Sequence, residues 1–317
     1  MSNNVLVTGG LGYVGGRIAT ALAADPRYQV RVGTRRPQSP LPLSYSEVER
    51  VFLDVDDYES CVAACKGVDA VIHLAALDAA QCRANSEVAV KINTLGTIKM
   101  LKAAEYVGAG RFIYFSTAHI YGPSFSGTIT EGTLPRSTHP YASSHRAAED
   151  FVFDANFRRA LTGIVVRLSN CFGVPAHPEI GQWMLVWNDL CRQAATRQRL
   201  VLQTPGFETR DFIALSDVSR AAMHLLCLPA SVCGDGLFNL GGESTMRIID
   251  VALLVSERCR AVLGYTPPIE RPYSAPKEAI DPYVYCIDRL RSTGFALAGG
   301  MNDEVDDTLR LCQRVFV

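Results

Sequence analysis

In the stretch HPYASSHRAAED, residues 139–150, Tyr141 stands four positions before His145. At helical spacing the two side chains share one face. A phenol can give or take a proton during a reaction if its pKa, about 10 in water, is brought toward the working pH. A Tyr followed four residues later by Lys is a proton-transfer device, because the lysine charge supplies that shift. An imidazole, with a reference pKa of about 6.5, is often neutral at pH 7 and supplies far less of it. Arg146 lies about 100° further round the helix and does not take over the lysine's place.

A second chemistry-bearing stretch opens the chain. VLVTGGLGYVGGRIA sets Gly9, Gly12 and Gly15 between an apolar run and a helical pattern. Missing side chains allow a tight turn and close backbone approach, and the following helix offers free N–H groups to a pyrophosphate. The context of strand, glycine turn and helix predicts dinucleotide binding. An acid at the end of the second strand would hold the adenosine ribose and repel a 2′-phosphate. The chain has VRVGTRRP there, with Gly33 and Thr34 followed by Arg35 and Arg36. Two guanidinium forks without a carboxylate favour NADP(H), with NAD(H) as the alternative.

These segments are positioned by an alternating pattern. NVLVTG, QVRVGT, RVFLDV, AVIHLAA, RFIYFST and GIVVRLS read as strands buried on both faces, separated by helical patterns. That alternation predicts an α/β fold with a parallel sheet covered by helices on both faces. ETRDFIALSDVSRAAMHLL and GLFNLGG read as a later return to the sheet. Residues 1–170 plus about 206–242 are expected to form the nucleotide-binding domain. About 171–205 and 243–317 are expected to form a smaller α+β lobe closing over it. PQSPLPLSYSE (37–47) is the most loop-like segment.

The 317 residues carry 31 Lys+Arg against 32 Asp+Glu, without a long basic block, which argues against nucleic-acid and polybasic membrane surfaces. The first strand begins too early for a signal peptide, and the apolar runs are too short to span a bilayer. The ten cysteines contain no CxxC pair and no metal-like Cys/His spacing. Cys61 and Cys65, one helical turn apart, read as packing residues, so no metal site is expected. Unpaired thiols without an export signal point to a reduced, cytoplasmic protein.

Taken in order, these segments resemble the extended short-chain dehydrogenase/reductase family, in particular its nucleotide-sugar epimerases, dehydratases and reductases. TGGLGYVGG looks like the family's cofactor turn and includes Tyr13. FLDV, with Asp54 and Val55, is similar to the third-strand segment beside the adenine. HLAA, with Leu74, Ala75 and Ala76, looks like the cofactor-lining fourth strand, and KINTLGT carries the family's central Asn as Asn93. FSTAHIYG and PYASSH resemble the catalytic segments, placing Thr117 and Tyr141 in the catalytic set, with His145 where the family has lysine. RLSNCFG and TRDFIALSDV resemble the stretches that supply Asn170 and Arg210 to the diphosphate region. The resemblance implies a Rossmann-like, doubly wound domain with a C-terminal substrate lobe. It also implies a nucleotide-diphosphate sugar as substrate, and a homodimer through a four-helix interface built from helices near 94–107 and 141–160.

On that resemblance, Thr117 holds the substrate oxygen, Tyr141 is the proton donor and His145 is a nicotinamide-ribose ligand. Dehydratases of the family usually place an Asp-Glu pair directly after the catalytic threonine; here the positions are Ala118 and His119, so 4,6-dehydration is not expected. His119, in the substrate-binding set, reads as a loop or packing histidine, with an extra acid/base at the pocket mouth as the alternative. The expected activity is NADP(H)-dependent reduction of a 4-keto nucleotide sugar. The first alternative is a nucleotide-sugar 4-epimerase with tightly bound NAD. The alternative of another class is a non-catalytic NAD(P)-binding scaffold.

Overall fold

The computed structural model describes residues 3–37, 48–122, 125–180, 182–273 and 283–317. Most of the loop-like 37–47 segment therefore lies outside the described residues.

In chain order the strands are β1 (Asn3–Thr8), β2 (Tyr28–Thr34), β3 (Glu49–Phe52), β4 (Ala70–His73), β5 (Arg111–Thr117), β6 (Thr128–Ile129), β7 (Thr162–Leu168), β8 (Asn170–Phe172), β9 (Leu200–Val201), β10 (Thr209–Ala214), β11 (Leu237–Leu240), β12 (Thr245–Arg247), β13 (Ile269–Glu270) and β14 (Val284–Tyr285). The α-helices are α1 (Tyr13–Ala23), α2 (Tyr58–Cys65), α3 (Ala79–Ala84), α4 (Ser86–Ala89), α5 (Gly96–Val107), α6 (Pro140–Phe157), α7 (Val186–Arg197), α8 (Leu215–Cys227), α9 (Ile248–Leu263), α10 (Asp288–Arg291) and α11 (Met301–Phe316). A π-helical turn, Val90–Leu95, joins α4 to α5. Apolar periodicity had read that region as one helix and did not show the wider turn.

Seven strands form one parallel sheet in the order β11-β7-β5-β4-β1-β2-β3. Alternation along each strand sends side chains to both faces. Val5, Val7, Ile113 and Phe115 pack against α1 and α8 on one face. Leu6, Phe112 and Tyr114 pack against α2, α5 and α6 on the other. Covered faces explain why these strands read as continuous apolar runs. The chain has a Rossmann-like fold, with the open ends of β1, β4, β5 and β7 facing the same way.

β11 joins the sheet at the edge beside β7, as GLFNLGG suggested. β10 does not. It pairs with β8 and β12 in a separate three-stranded sheet. The chain leaves the main sheet at Ser169, whose N–H donates to Leu240 O at 2.9 Å. β10 then sits between two cores, because Ile213 faces the main sheet's core while Phe212 and Ala214 enter a third. That third core lies among α7, α9 and α11, with Phe172 stacked on Trp187 at 4.4 Å. Leu290 and Phe295, late in the chain, are buried with the main sheet rather than with it. Glu304 on α11 accepts from Arg17 Nη2 at 2.6 Å, Val174 N at 3.1 Å and Ser216 N at 3.0 Å, which clamps the C-terminal helix to α1.

Candidate functional site

The glycine turn follows β1 and ends against the end of β4. Gly9 has φ of +65°, and a Cβ there would meet the Leu74 carbonyl carbon at 3.0 Å. A Cβ on Gly15 would come within 2.4 Å of Gly9 O, so only glycine lets α1 approach the turn this closely. The helix is capped by Gly12 without a side-chain cap bond, and its first turn holds no acid. Its N–H groups are therefore available to an anion. Thr8 closes the floor of the turn: its Oγ1 accepts from Leu74 N and Ala75 N, both at 3.1 Å.

Across the cleft stand the ends of β5 and α6. Thr117 ends β5, and its Oγ1 accepts from His119 N at 3.2 Å, which turns the chain into a short 3-10 segment. α6 starts after His139, whose Nδ1 accepts from Tyr141 N at 3.1 Å, with Pro140 at its first position. Tyr141 and His145 then follow on the same face, their rings 4.5 Å apart between centroids.

The register of α6 against the sheet is held by buried polar contacts. Glu149, one turn beyond His145, accepts from Ser116 Oγ at 2.6 Å and from Arg167 Nη2 at 2.7 Å. Arg167 Nη1 donates to Tyr121 Oη at 2.9 Å, and Tyr121 donates to Asn239 Oδ1 at 2.7 Å. Ser116 is the neighbour of Thr117, so this cluster sets the distance between Thr117 and Tyr141. On the opposite side, Thr94 Oγ1 in the π-turn donates to Ser144 O at 2.8 Å.

A cleft of about 410 Å³ runs between the two walls, lined by Gly9, Gly12, Tyr13, Gly15, Leu74, Ala76, Thr117, His119, Tyr141, His145 and Asn170 among others. Eleven residues expected from the sequence thus meet in one place. Arg210 lines an adjoining hollow that shares His119 and Asn170 with the cleft. Tyr13 reaches across the fold, its hydroxyl donating to Gly173 O at 2.7 Å.

Other expected residues lie outside the cleft lining. Arg35 and Arg36 are exposed beyond the end of β2, and Asp54 is partly exposed after β3, its Oδ1 accepting from Asp56 N at 3.0 Å. Val55 is buried against Gly96. Ala75 abuts Gly9 through its backbone N. Asn93 is buried and its amide is engaged: Oδ1 accepts from Leu77 N at 2.8 Å, and Nδ2 donates to Ser144 Oγ at 3.1 Å. Its visible work is to hold the segment after β4 against α6.

Sequence reasoning missed Gln182 and Leu185, which bring the cleft a wall from the segment before α7. It also missed Tyr114, whose hydroxyl lies 2.7 Å from His145 Nδ1. The only sequence signal was a phenol inside an otherwise apolar run.

Burial pushes the Tyr141 phenol up to about 12, against a lowering hydrogen bond from Thr117. Burial, then the nearby His119, pulls His145 down to about 4, so its imidazole is neutral at pH 7. His119 is exposed at the cleft mouth, yet desolvation of its ring, then Arg210 and His139, hold it below its ordinary value.

The residues fit a nicotinamide dinucleotide. The turn leaves room for a pyrophosphate where a Cβ would intrude. In the same cleft, His145 Nε2 is buried with no hydrogen-bond partner among the described residues. Such an atom is costly unless a bound group satisfies it.

Comparison with known proteins agrees. The profile of the NAD dependent epimerase/dehydratase family matches residues 5–241. A dTDP-D-glucose 4,6-dehydratase of Mus musculus is 27% identical over 266 residues, covering 79% of this chain and 71% of the relative. A UDP-glucuronic acid decarboxylase of Arabidopsis thaliana is 26% identical over 276 residues, covering 80% and 73%. The solved structure of an epimerase from Methanothermobacter thermautotrophicus superposes with a TM-score of 0.82 at 25% identity, covering 99% of this chain and 95% of the other. The chain belongs to the NAD dependent epimerase/dehydratase family, the nucleotide-sugar-modifying enzymes of the extended short-chain dehydrogenase/reductase type.

Proposed function

We propose that the protein is a nucleotide-sugar epimerase that oxidises a sugar hydroxyl and reduces the same carbon from the other face. One observation carries this reading. Thr117, Tyr141 and His145 converge in the cleft, while the carboxylate among its lining residues, Asp78, is exposed and caps α3 by accepting from Gln81 N at 2.8 Å. Ala118 and His119 follow Thr117 where an elimination would need an acid and a base, so no carboxylate pair stands there to expel water.

Bound in the cleft, a nicotinamide dinucleotide supplies hydride acceptance and donation. The chain's own residues do the rest. Thr117 orients the sugar oxygen, and Tyr141 takes its proton and returns it. His145 Nε2 holds the nicotinamide ribose, and the glycine turn with the α1 N-terminus holds the pyrophosphate. Asn170 and Arg210, in the adjoining hollow, face the sugar diphosphate. Curated relatives named for dTDP- and UDP-sugars support a nucleotide-sugar substrate.

A second reading is NADPH-dependent reduction of a 4-keto nucleotide sugar, favoured by Arg35 and Arg36, which follow β2 where the sequence has Gly33 and Thr34 rather than a carboxylate. The cofactor released from the purified, heat-denatured enzyme separates the two. NAD+ together with inversion at one carbon of a UDP- or dTDP-sugar, followed by proton NMR, supports the epimerase. NADPH consumption that requires a 4-keto sugar replaces it with the reductase. Loss of water from the sugar sinks both.

We also read the enzyme as a homodimer through α5 and α6, whose Tyr106 (75% exposed) and Phe157 (88% exposed) leave apolar surface open to water. Light scattering at monomer mass would remove that reading. The ten free cysteines support a reduced, cytoplasmic setting.

A further inference from the structure

Two buried histidines stack on one tyrosine. The His73 and His145 rings lie 5.9 and 5.8 Å from the Tyr114 ring between centroids. The proton positions in this stack follow from counting donors and acceptors.

Thr8 Oγ1 already accepts two backbone N–H groups, so its own proton goes to His73 Nδ1, 2.7 Å away. Thr97 Oγ1 gives its proton to Asn93 O at 2.6 Å. His73 Nε2, at 3.1 Å, therefore carries a hydrogen and donates it to Thr97. Both nitrogens of His73 are satisfied.

His145 has one partner and one free nitrogen. Nδ1 meets Tyr114 Oη, while Nε2 is buried without a partner among the described residues, on a residue that lines the same cleft as Tyr141. Thr97 Oγ1 also lies beside the phenol and keeps one lone pair, but Nδ1, 2.7 Å from the phenol oxygen, is the stronger acceptor. A phenol is the better donor of the pair and an imidazole nitrogen the better acceptor, as their reference pKa values of about 10 and 6.5 show. The phenol proton thus points at Nδ1, which leaves the hydrogen of the neutral imidazole on Nε2.

We propose that Tyr114 is a positioning residue: its hydroxyl holds His145 in the Nε2–H tautomer, so that an uncharged side chain presents a hydrogen-bond donor to the cofactor ribose beside Tyr141. Without that donor the ring would populate both tautomers, and one of them shows the ribose a lone pair. The cofactor part of this inference rests on the function proposed above; the tautomer part does not.

The test uses the full chain with 15N-labelled histidine. In the wild type, His145 shows a pyridine-type Nδ1 and a pyrrole-type Nε2, and Tyr114→Phe shifts both toward mixed values. A pyrrole-type Nδ1 in the wild type, or no change in the variant, overturns the proposal. NAD+ affinity measured calorimetrically, with NADP+ in parallel, gives a second reading. Tyr114→Phe weakens binding about tenfold, the worth of one well-placed hydrogen bond. The same substitution in a His145→Lys background costs less than about twofold, because an ammonium has no tautomer to select. Equal losses in both backgrounds would make Tyr114 a packing residue. If the wild type binds neither dinucleotide, the functional reading fails, while the nitrogen shifts still decide the role of Tyr114.

Discussion

One turn apart on the inner face of α6 lie two buried polar clusters of opposite character. Around Glu149 every group is answered: Ser116 and Arg167 fill the carboxylate, and Tyr121 and Asn239 continue the network. Around His145 the network stops: Nε2 is buried without a partner among the described residues, on a residue that lines the cleft. The same contrast separates His73, bonded at both nitrogens, from His145. A closed cluster holds helix and sheet in register. An open one keeps a polar atom available for something the chain does not itself supply. The closed cluster fixes the geometry in which the open one is held.

The largest effect expected from this contrast is chemical. Tyr141→Phe, which removes the proposed proton carrier, should lower turnover by about 10³-fold or more while leaving NAD+ affinity and the urea midpoint near wild type. Turnover within tenfold of wild type would remove Tyr141 from the proton path.

Next is the cost of opening the closed cluster. Arg167→Met strands the Glu149 carboxylate and should destabilise the fold by about 3–5 kcal/mol in urea denaturation. His145→Leu, on the open side, should cost about 1 kcal/mol, the one bond to Tyr114. Similar losses at both positions would erase the distinction.

The pH–rate profile offers a third test. With the Tyr141 phenol pushed up to about 12, the base form is scarce at neutral pH. The oxidative rate should therefore rise about tenfold per unit from pH 7 to 9. His145→Lys adds a positive charge one turn away, lowers the phenol pKa and should flatten that rise. An unchanged profile would show that residue 145 does not tune Tyr141.

The smallest effect concerns stability. His73 and His145 are depressed to about 3 and about 4 in the fold, against 6.5 unfolded. Between those values the unfolded chain binds protons that the native chain refuses. Their contribution is thus fully present above about pH 6.5 and is lost as pH falls toward about 4 for His145 and about 3 for His73, at about 1.4 kcal/mol per pH unit for each. His145→Gln should remove one of the two slopes between pH 6 and 5. A slope identical to wild type would show that His145 is not held neutral.

Much of this was legible before the structure, and the exceptions share a cause. Strands buried on both faces announce themselves as apolar runs, and a glycine turn between strand and helix is local, so β1, α1 and the turn between them could be read directly. Thr117, Tyr141 and His145 were readable through their ordered segments. The fate of β10 was not, because joining the main sheet or pairing with β8 asks the same alternation of the strand. Gln182 and Leu185 were invisible because their segment has no periodicity of its own.

Residue types and short-range spacing alone determined the sheet, the glycine turn, and the histidine where a lysine would be charged. The tertiary structure decided what that histidine can do. A tautomer depends on which donor meets which nitrogen. His145 meets Tyr114, 31 residues earlier in the chain, only because Glu149 and Arg167 lock α6 against β5 and β7. Hydrogen bonds of that separation are products of packing, and the sequence carries them only as a phenol and an imidazole whose meeting cannot be read from either neighbourhood.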